Sequence, residues 1–330
     1  MQRKPKILVV GSFVMDLIVS TSRVPNEGET VIAGLSFKTA SGGKGANQAV
    51  QAAKLGADVT FVGKVGNDSF GKEMIAAVSA AGVNTEFVLT DNEVSSGVGN
   101  IILECKPGQK TKNRIIVVPG ANMTITPEEV SFLKDAIKNY DMVMLQLEIP
   151  MEINELVTSY AYDAGVPVML NSAPSAPLSP ELLKKLTYIS PNEHEAADLT
   201  GITIKGNNGA LDLAAVDKAA SKLLEMGVKN VIITLGSNGV AFKNSETFVY
   251  KPCVDIVEVA DPTAAGDSFV GAFCTAVASG KSHNDALDYA NYAATLTVSR
   301  MGAQPSLPSC EEVEELIQRH KLMLQKEGKK

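Results

Sequence analysis

The chain has 330 residues, 45% of them hydrophobic, and a formal net charge of −7. That length suits one large α/β unit with an appendage, and that apolar content sustains a large core, which excludes a disordered chain. The negative balance argues against nucleic acid as a partner, so any anionic cosubstrate must be held by local groups.

Arg3, Lys4 and Lys6 precede the apolar run Ile7 to Val10. Gly11, Ser12 and Asp16 interrupt that run, and no small-residue cleavage site follows, so a buried first strand is predicted rather than a secretory signal. The region from Glu29 to Thr39 has strand-like residues but no helix of its own. Val59–Val62 reads as a second buried strand. The region Gly97 to Val118 reads as two strands around the polar turn Lys106-Pro107-Gly108-Gln109. Val130, Leu133, Ile137 and Tyr140 recur at helical spacing on one face. Met142–Leu147 and Val166–Leu170 are apolar runs of strand length. Leu213, Val216, Ala220 and Leu223 mark a helix, Val231–Leu235 a strand, and Val313, Leu316, Ile317 and His320 a last helix.

Alternation of apolar strands with amphipathic helices predicts an α/β fold, a mostly parallel central sheet with helices on both faces. The strands near 29–40 and 97–118 have no place in such a sheet. They predict a small antiparallel β-sheet beside it, either structural or a lid over substrate, inserted in a single domain spanning 1–330. No run approaches the roughly 18 apolar residues that span a bilayer, so no membrane partner is expected. Cys105, Cys253, Cys274 and Cys310 form neither a C-x-x-C pair nor zinc-finger spacing, and read as reduced thiols of a cytoplasmic protein. His194, His283 and His320 lie too far apart to suggest a histidine-rich metal site.

Three constellations carry chemistry. The first is SGGKGANQAV, Ser41 to Val50. Gly42, Gly43 and Gly45 let the backbone approach a ligand, the following helix aims amides at it, and Lys44 and Asn47 add donors. Gly45 stands where a Walker A loop needs Ser or Thr, and Gln48 where the G-x-G-x-x-G fingerprint needs glycine. The second is DPTAAGDSFVGAF, Asp261 to Phe273. Ala264, Ala265 and Gly266 lead into a helix whose first turn carries Asp267. A lone first-turn aspartate ordinarily just complements the helix dipole. Beside a small-residue turn that holds an anion, it has what phosphoryl transfer needs: a charge cradle and a proton acceptor. The third is Asn192-Glu193-His194-Glu195, which reads either as a solvated helix start or as a pair ordering a hydrated magnesium ion. Asp16, Glu148 and the turn Thr234 to Gly239 follow strands and are ordinary taken singly.

In this order the motifs resemble the ribokinase family of carbohydrate kinases, from the first strand to Ser306. The glycine run, with Gly56 and Gly66, matches the family's first signature, DPTAAGD its second, and Asn192 and Glu195 its N-x-x-E motif. GANQAV, QLE, PGAN, ITLGSNG and GAQPS add to the likeness. The resemblance implies MgATP-dependent phosphorylation of the primary 5-hydroxyl of D-ribose. Asp267 would be the catalytic base and Ala264, Ala265 and Gly266 the anion hole. Asp16, Gly42, Gly43, Lys44, Asn47 and Glu148 would hold the sugar. Asn192, the loop Thr234, Gly236, Ser237 and Gly239, and Asn291 would contact ATP, with Glu195 placing Mg2+. A K+ site would involve Asp261, Thr263, Thr297, Arg300, Gly302 and Ser306, several through carbonyls. A homodimer through the small sheet is also implied.

Two positions depart from the family pattern. Val14 stands at a sugar-side position, two residues before Asp16, where many members carry asparagine. Ser172 stands where N-P-A-P has proline. The first change leaves sugar identity open, with deoxyribose, another sugar or a nucleoside as the alternative. From other classes, a nucleotide-dependent dehydrogenase lacks its fingerprint after the first strand. A non-catalytic sugar sensor would have no need of Asp267.

Overall fold

The structure is a computed structural model that describes residues 3–106, 108, 111–204 and 210–327. Pro107 and Gln109 of the expected turn lie outside the described residues. Among the described residues the strands are β1 (Lys6–Val10), β2 (Val14–Thr21), β3 (Gly34–Gly42), β4 (Asp58–Gly66), β5 (Asn84–Asp91), β6 (Gly97–Glu104), β7 (Lys112–Val118), β8 (Met142–Gln146), β9 (Val168–Asn171), β10 (Tyr188–Ser190), β11 (Asn230–Thr234), β12 (Val240–Lys243) and β13 (Phe248–Lys251). The helices are α1 (Lys44–Lys54), α2 (Ser69–Ala80), α3 (Leu133–Ala136), α4 (Met151–Asp163), α5 (Pro180–Lys185), α6 (Glu193–Thr200), α7 (Leu213–Glu225), α8 (Ala265–Ala278), α9 (His283–Val298) and α10 (Cys310–Glu327).

Nine strands form the main sheet in the order β13-β12-β11-β10-β9-β8-β1-β4-β5. All pairings from β11 to β5 are parallel, and β12 and β13 close one edge as antiparallel strands. Two hydrophobic clusters cover its faces. Alternation along β1 sends Ile7 and Val9 into one with α1, α8 and α9, and Leu8 and Val10 into the other with α4 and α7. All four side chains are fully buried, each worth about 1.5–3 kcal/mol of apolar burial, so the first strand anchors both layers.

The small sheet runs β3-β2-β6-β7. The antiparallel expectation holds for β2–β3 and β6–β7, but β2 and β6 run parallel, in register from Val14–Gly97 to Thr21–Glu104. The expected ranges missed β2, because it follows β1 after only Gly11, Ser12 and Phe13, and Gly11, Ser12 and Asp16 read as the end of the first apolar run rather than as the approach to a second strand. They also began β3 early, since the chain turns through Asn26–Glu29 and pairs regularly only from Gly34. The helix expected over Val130 to Tyr140 is broken into the four-residue α3 and a 3-10 turn, with Tyr140 extended. Val130, Leu133 and Ile137 are nonetheless buried, so the periodicity reported one apolar face of a turning segment. No helix among the described residues is long and apolar enough to cross a membrane.

Candidate active site

The sheet reverses direction of growth at β1. The chain goes from β1 to β4 on one side and returns through β8 on the other, so the crevice beyond the carboxyl ends of β1 and β8 is a topological switch point. Ser12, just past β1, donates from Oγ to Glu148 Oε2, just past β8, at 2.5 Å. The same oxygen accepts from the Lys44 backbone amide at 2.9 Å, where α1 begins. Gly43 caps α1 with φ 97°, and a side chain there would strike the Val14 and Ser12 backbone, so the sharp entry to α1 requires glycine.

Asp267 lies in the first turn of α8 and is 8% exposed. Asn47 donates from Nδ2 to its Oδ2 at 2.9 Å, and Gln48 from Nε2 to its Oδ1 at 3.0 Å. Burial raises its pKa; Lys44 and the two amide donors oppose that rise, and Glu148 reinforces it. Burial would lower the pKa of Lys44, but the charges of Asp267, Glu148, Glu195 and Asp16 together outweigh it and raise the pKa, which favours the ammonium form.

Asp16 projects from β2, with Gly99 opposite it on β6. Burial, then Glu148, pushes its pKa up to about 6 against the pull of Lys44. A Cβ at Gly42 would lie 3.2 Å from Asp16 Oδ2 and one at Gly99 2.6 Å from Oδ1, so the carboxylate is seated between two bare backbone positions. The expected sugar-side residues Asp16, Gly42, Gly43, Lys44, Asn47, Glu148 and Asp267 therefore form one connected group, with Val14 beside them.

Ala264 sits at φ 60°, the one non-glycine residue with positive φ among the described residues. Such a backbone costs of order 1 kcal/mol and persists only where its surroundings hold it. No side chain caps α8. Of the expected anion-hole amides, that of Ala265 donates to the Pro262 carbonyl at 3.3 Å. A Cβ on Gly266 would meet nothing within 4 Å, so there is room for a ligand before the helix end. An uncapped N-terminus with open space is suited to an anion.

Asn192 caps α6 and forms a capping box with Glu195, whose Oε2 accepts from the Asn192 amide at 2.8 Å. The motif thus does start a helix, but one whose Glu195 is buried rather than solvated. Asn192 also bridges to Thr234 at the ends of β10 and β11. The turn Gly236, Ser237, Gly239 follows, and the Asn238 carbonyl accepts from Tyr250 Oη at 2.7 Å. Asn291 on α9 donates to the Pro252 carbonyl at 2.7 Å and lines an open cleft of about 670 Å³ with the 251–256 segment and α10.

Asp261 accepts from the Thr263 amide and hydroxyl on one oxygen and from the Gly302 amide at 2.9 Å on the other. Burial opposes ionisation, but these hydrogen bonds win and hold its pKa low. The other expected cation-site side chains turn elsewhere. Thr297 Oγ1 lies 2.7 Å from Ser268 Oγ, Arg300 pairs with Glu312 at 2.7 Å, and Ser306 donates to the Ala303 carbonyl at 2.7 Å. Among the described residues no cluster of three or more His, Cys, Asp or Glu forms a metal site.

Sequence reasoning missed Ser12, Gln48, Gln146 and Gly99. Ser12 directly follows the glycine that ends β1, and Gln48 and Gln146 lie inside quoted motifs, so their positions were signalled although their partners were not.

Residues 4–310 match the description "pfkB family carbohydrate kinase". The chain is 41% identical to a ribokinase of Bacillus subtilis over 94% of its own length and 99% of the relative's. It is 40% identical to a ribokinase of Schizosaccharomyces pombe over 93% and 96%. Its fold superposes on Arabidopsis thaliana ribokinase complexed with ribose and ATP with a TM-score of 0.85 at 35% identity, covering 95% of this chain and 99% of that one. The dehydrogenase alternative falls with these likenesses. The chain belongs to the pfkB family of carbohydrate kinases, among its ribokinase-like members.

Proposed function

We propose that this chain transfers the terminal phosphoryl group of ATP to the 5-hydroxyl of D-ribose, giving ribose 5-phosphate and ADP. The observation that carries this reading is the buried Asp267 carboxylate, held by Asn47 and Gln48 at the uncapped end of α8. The ribokinase relatives supply the sugar. Asp267 accepts the hydroxyl proton as the sugar oxygen bonds to the γ-phosphorus and the bond to the β,γ-bridging oxygen breaks. The Ala264–Gly266 turn receives the transferring group on the α8 amides. Asp16, Glu148, Lys44, Asn47 and the Gly42–Gly43 backbone hold the sugar, and Asn192, the Thr234–Gly239 turn and Asn291 hold the nucleotide.

Glu195 fits a hydrated magnesium ion, since its oxygens are partly engaged by Asn192 but keep lone pairs on a buried carboxylate. Bound there beside the phosphates, Mg2+ would neutralise developing charge. The ionised Asp261 ties the turn before α8 to the Gly302 loop and fits a potassium site built from carbonyls of the 261–263 and 297–306 segments. The small sheet serves as a lid over the sugar within a single domain, and its exposed Leu35, Phe37, Ile115 and Ile116 suit a homodimer contact.

An ATP-consumption assay over ribose, 2-deoxyribose, hexoses and nucleosides, compared by kcat/KM, tests the reading. Ribose should rank first. A nucleoside or hexose preferred over every pentose overturns it. Val14 supports one second reading, a kinase that also accepts deoxyribose.

A further inference from the structure

We propose that Gln48 is a positioning residue for the Asp267 carboxylate, and that Gln146 fixes which way round the Gln48 amide stands. The inference rests on Asp267 being the base. Gln48 and Gln146 are both fully buried. Gln48 Nε2 donates to Asp267 Oδ1 at 3.0 Å, and Gln146 Nε2 donates to Gln48 Oε1 at 2.7 Å. The Gln146 backbone carbonyl accepts from Asn154 Nδ2 at 3.1 Å, which anchors the end of β8, while Gln146 Oε1 is buried with no partner. Two side-chain amides in a row thus run from the end of β8 through α1 to the base on α8.

The direction of the row is set by chemistry. An ionised carboxylate only accepts, so Gln48 must turn its NH2 toward Asp267. Its carbonyl then faces Gln146, which supplies a donor. Turning the Gln48 amide over would set carbonyl against carboxylate and NH2 against NH2 inside a dry core.

Asn47 and Gln48 differ in what remains. Asn47 Oδ1 is buried with no partner, an acceptor the protein itself leaves unused. Gln48 Oε1 is already taken. Asn47 therefore keeps an acceptor beyond its bond to the base, whereas Gln48 acts on the reaction through Asp267 alone. It holds one carboxylate oxygen and keeps the proton-accepting form aligned while Lys44 and Glu148 supply the surrounding charge.

The test is Gln48→Met, which keeps volume and removes the donor, with Gln146→Met and Asp267→Asn beside it. For Gln48→Met, kcat should fall about 10- to 100-fold while KM for ribose and ATP stays within about threefold. The acid limb of the pH–kcat profile should move to higher pH, because a donor to the ionised form has gone while Lys44 and Glu148 are unchanged. Gln146→Met should move both quantities in the same direction by less. A merely structural glutamine would lower thermal stability and leave that limb in place. A wild-type acid limb in Gln48→Met, or a loss confined to KM, overturns the inference. If Gln48→Met does not fold, the limb in Gln146→Met decides by the same criterion. Near-normal turnover in Asp267→Asn would instead remove the base itself. A collapse there with an unmoved limb in the glutamine variants removes this inference alone.

Discussion

Asn47 Nδ2 lies 2.9 Å from Asp267 Oδ2, joining the two glycine-rich motifs across 220 residues of sequence. One turn further along α1, Gln51 Oε1 accepts from Ser268 Oγ at 2.9 Å. The two helices therefore meet through paired polar contacts inside an otherwise apolar layer. The start of α1, where the sugar is proposed to sit, and the uncapped start of α8 are thereby held at a fixed separation, as in-line transfer between them would require.

Asp267→Asn should lower kcat by ~10²–10⁴-fold with a much smaller change in substrate binding. The amide keeps the shape but can accept from only one of Asn47 and Gln48, and it cannot take a proton. Steady-state kinetics with calorimetric sugar binding separates the two effects. Turnover near wild type in a folded variant removes Asp267 from the chemistry.

Asp16 makes the ligand-free protein less stable as pH rises. Its pKa is about 6 in the fold, pushed up by burial and then by Glu148, against about 3.9 unfolded. Below about pH 4 both states are protonated and its contribution is fully present. Between about pH 4 and 6 the folded state retains a proton the unfolded chain has lost, so stability falls. The effect is at most about 3 kcal/mol and levels off above the folded pKa. Asp16→Asn should raise Tm at pH 7 and bring no gain at pH 4. An equal difference at both values would mean that the carboxylate carries no such penalty.

Gly99→Ala tests the seat of that carboxylate. The new methyl would lie 2.6 Å from Asp16 Oδ1, so the side chain must move. A displaced hydrogen-bonding group loses about 1.4 kcal/mol, roughly tenfold in sugar KM, with ATP KM nearly unchanged. An unchanged sugar KM would show that Asp16 has no part in holding the sugar.

Five strands of the main sheet, β1, β4, β8, β9 and β11, were legible because they read as apolar runs buried on both faces, whereas β5 and β13 are only partly buried and β10 and β12 are too short to carry the pattern. Local pattern was weaker for the small sheet. There β6 and β7 were legible from the polar turn between them, although β7 is exposed along its length, whereas β2 follows β1 too closely to be read as a separate element. In the site, glycine spacing and the position of Asp267 carried the signal. The row Gln146–Gln48–Asp267 could not be read, because a buried glutamine in a helix pattern looks like a polar interruption until its partner's strand is placed. Asp261 was legible as a loop residue, but its grip on Gly302 spans 41 positions and leaves no local trace.

Potassium should activate. Asp261 orders the turn before α8 by bonding to Thr263 and Gly302. A monovalent ion among the adjoining carbonyls would stiffen that turn and raise kcat by about tenfold, or ~1.4 kcal/mol of barrier. Replacing potassium by a large organic cation at constant ionic strength should lose that gain, and Asp261→Ala should no longer respond. Identical rates in both salts would show the loop to be purely structural.

Val14 should govern how strongly the site insists on one ring hydroxyl. Val14 and Asp16 lie two apart on β2 and so share a face. A Cβ placed on Gly99 would be 3.5 Å from Val14 Cγ1 and 2.6 Å from Asp16 Oδ1, so the two side chains flank one point. Val14 is only 6% exposed and can offer no hydrogen bond there. A polar side chain in its place would be stranded by any sugar lacking the matching hydroxyl, and such a site rejects that sugar. The valine strands nothing. One neutral hydrogen bond is worth about 0.5–1.5 kcal/mol, roughly three- to tenfold in affinity. The ratio of kcat/KM for ribose over 2-deoxyribose should therefore rise by about that factor in Val14→Asn. A ratio that stays put, or shifts toward deoxyribose, makes Val14 a packing residue or sets it against a different part of the sugar.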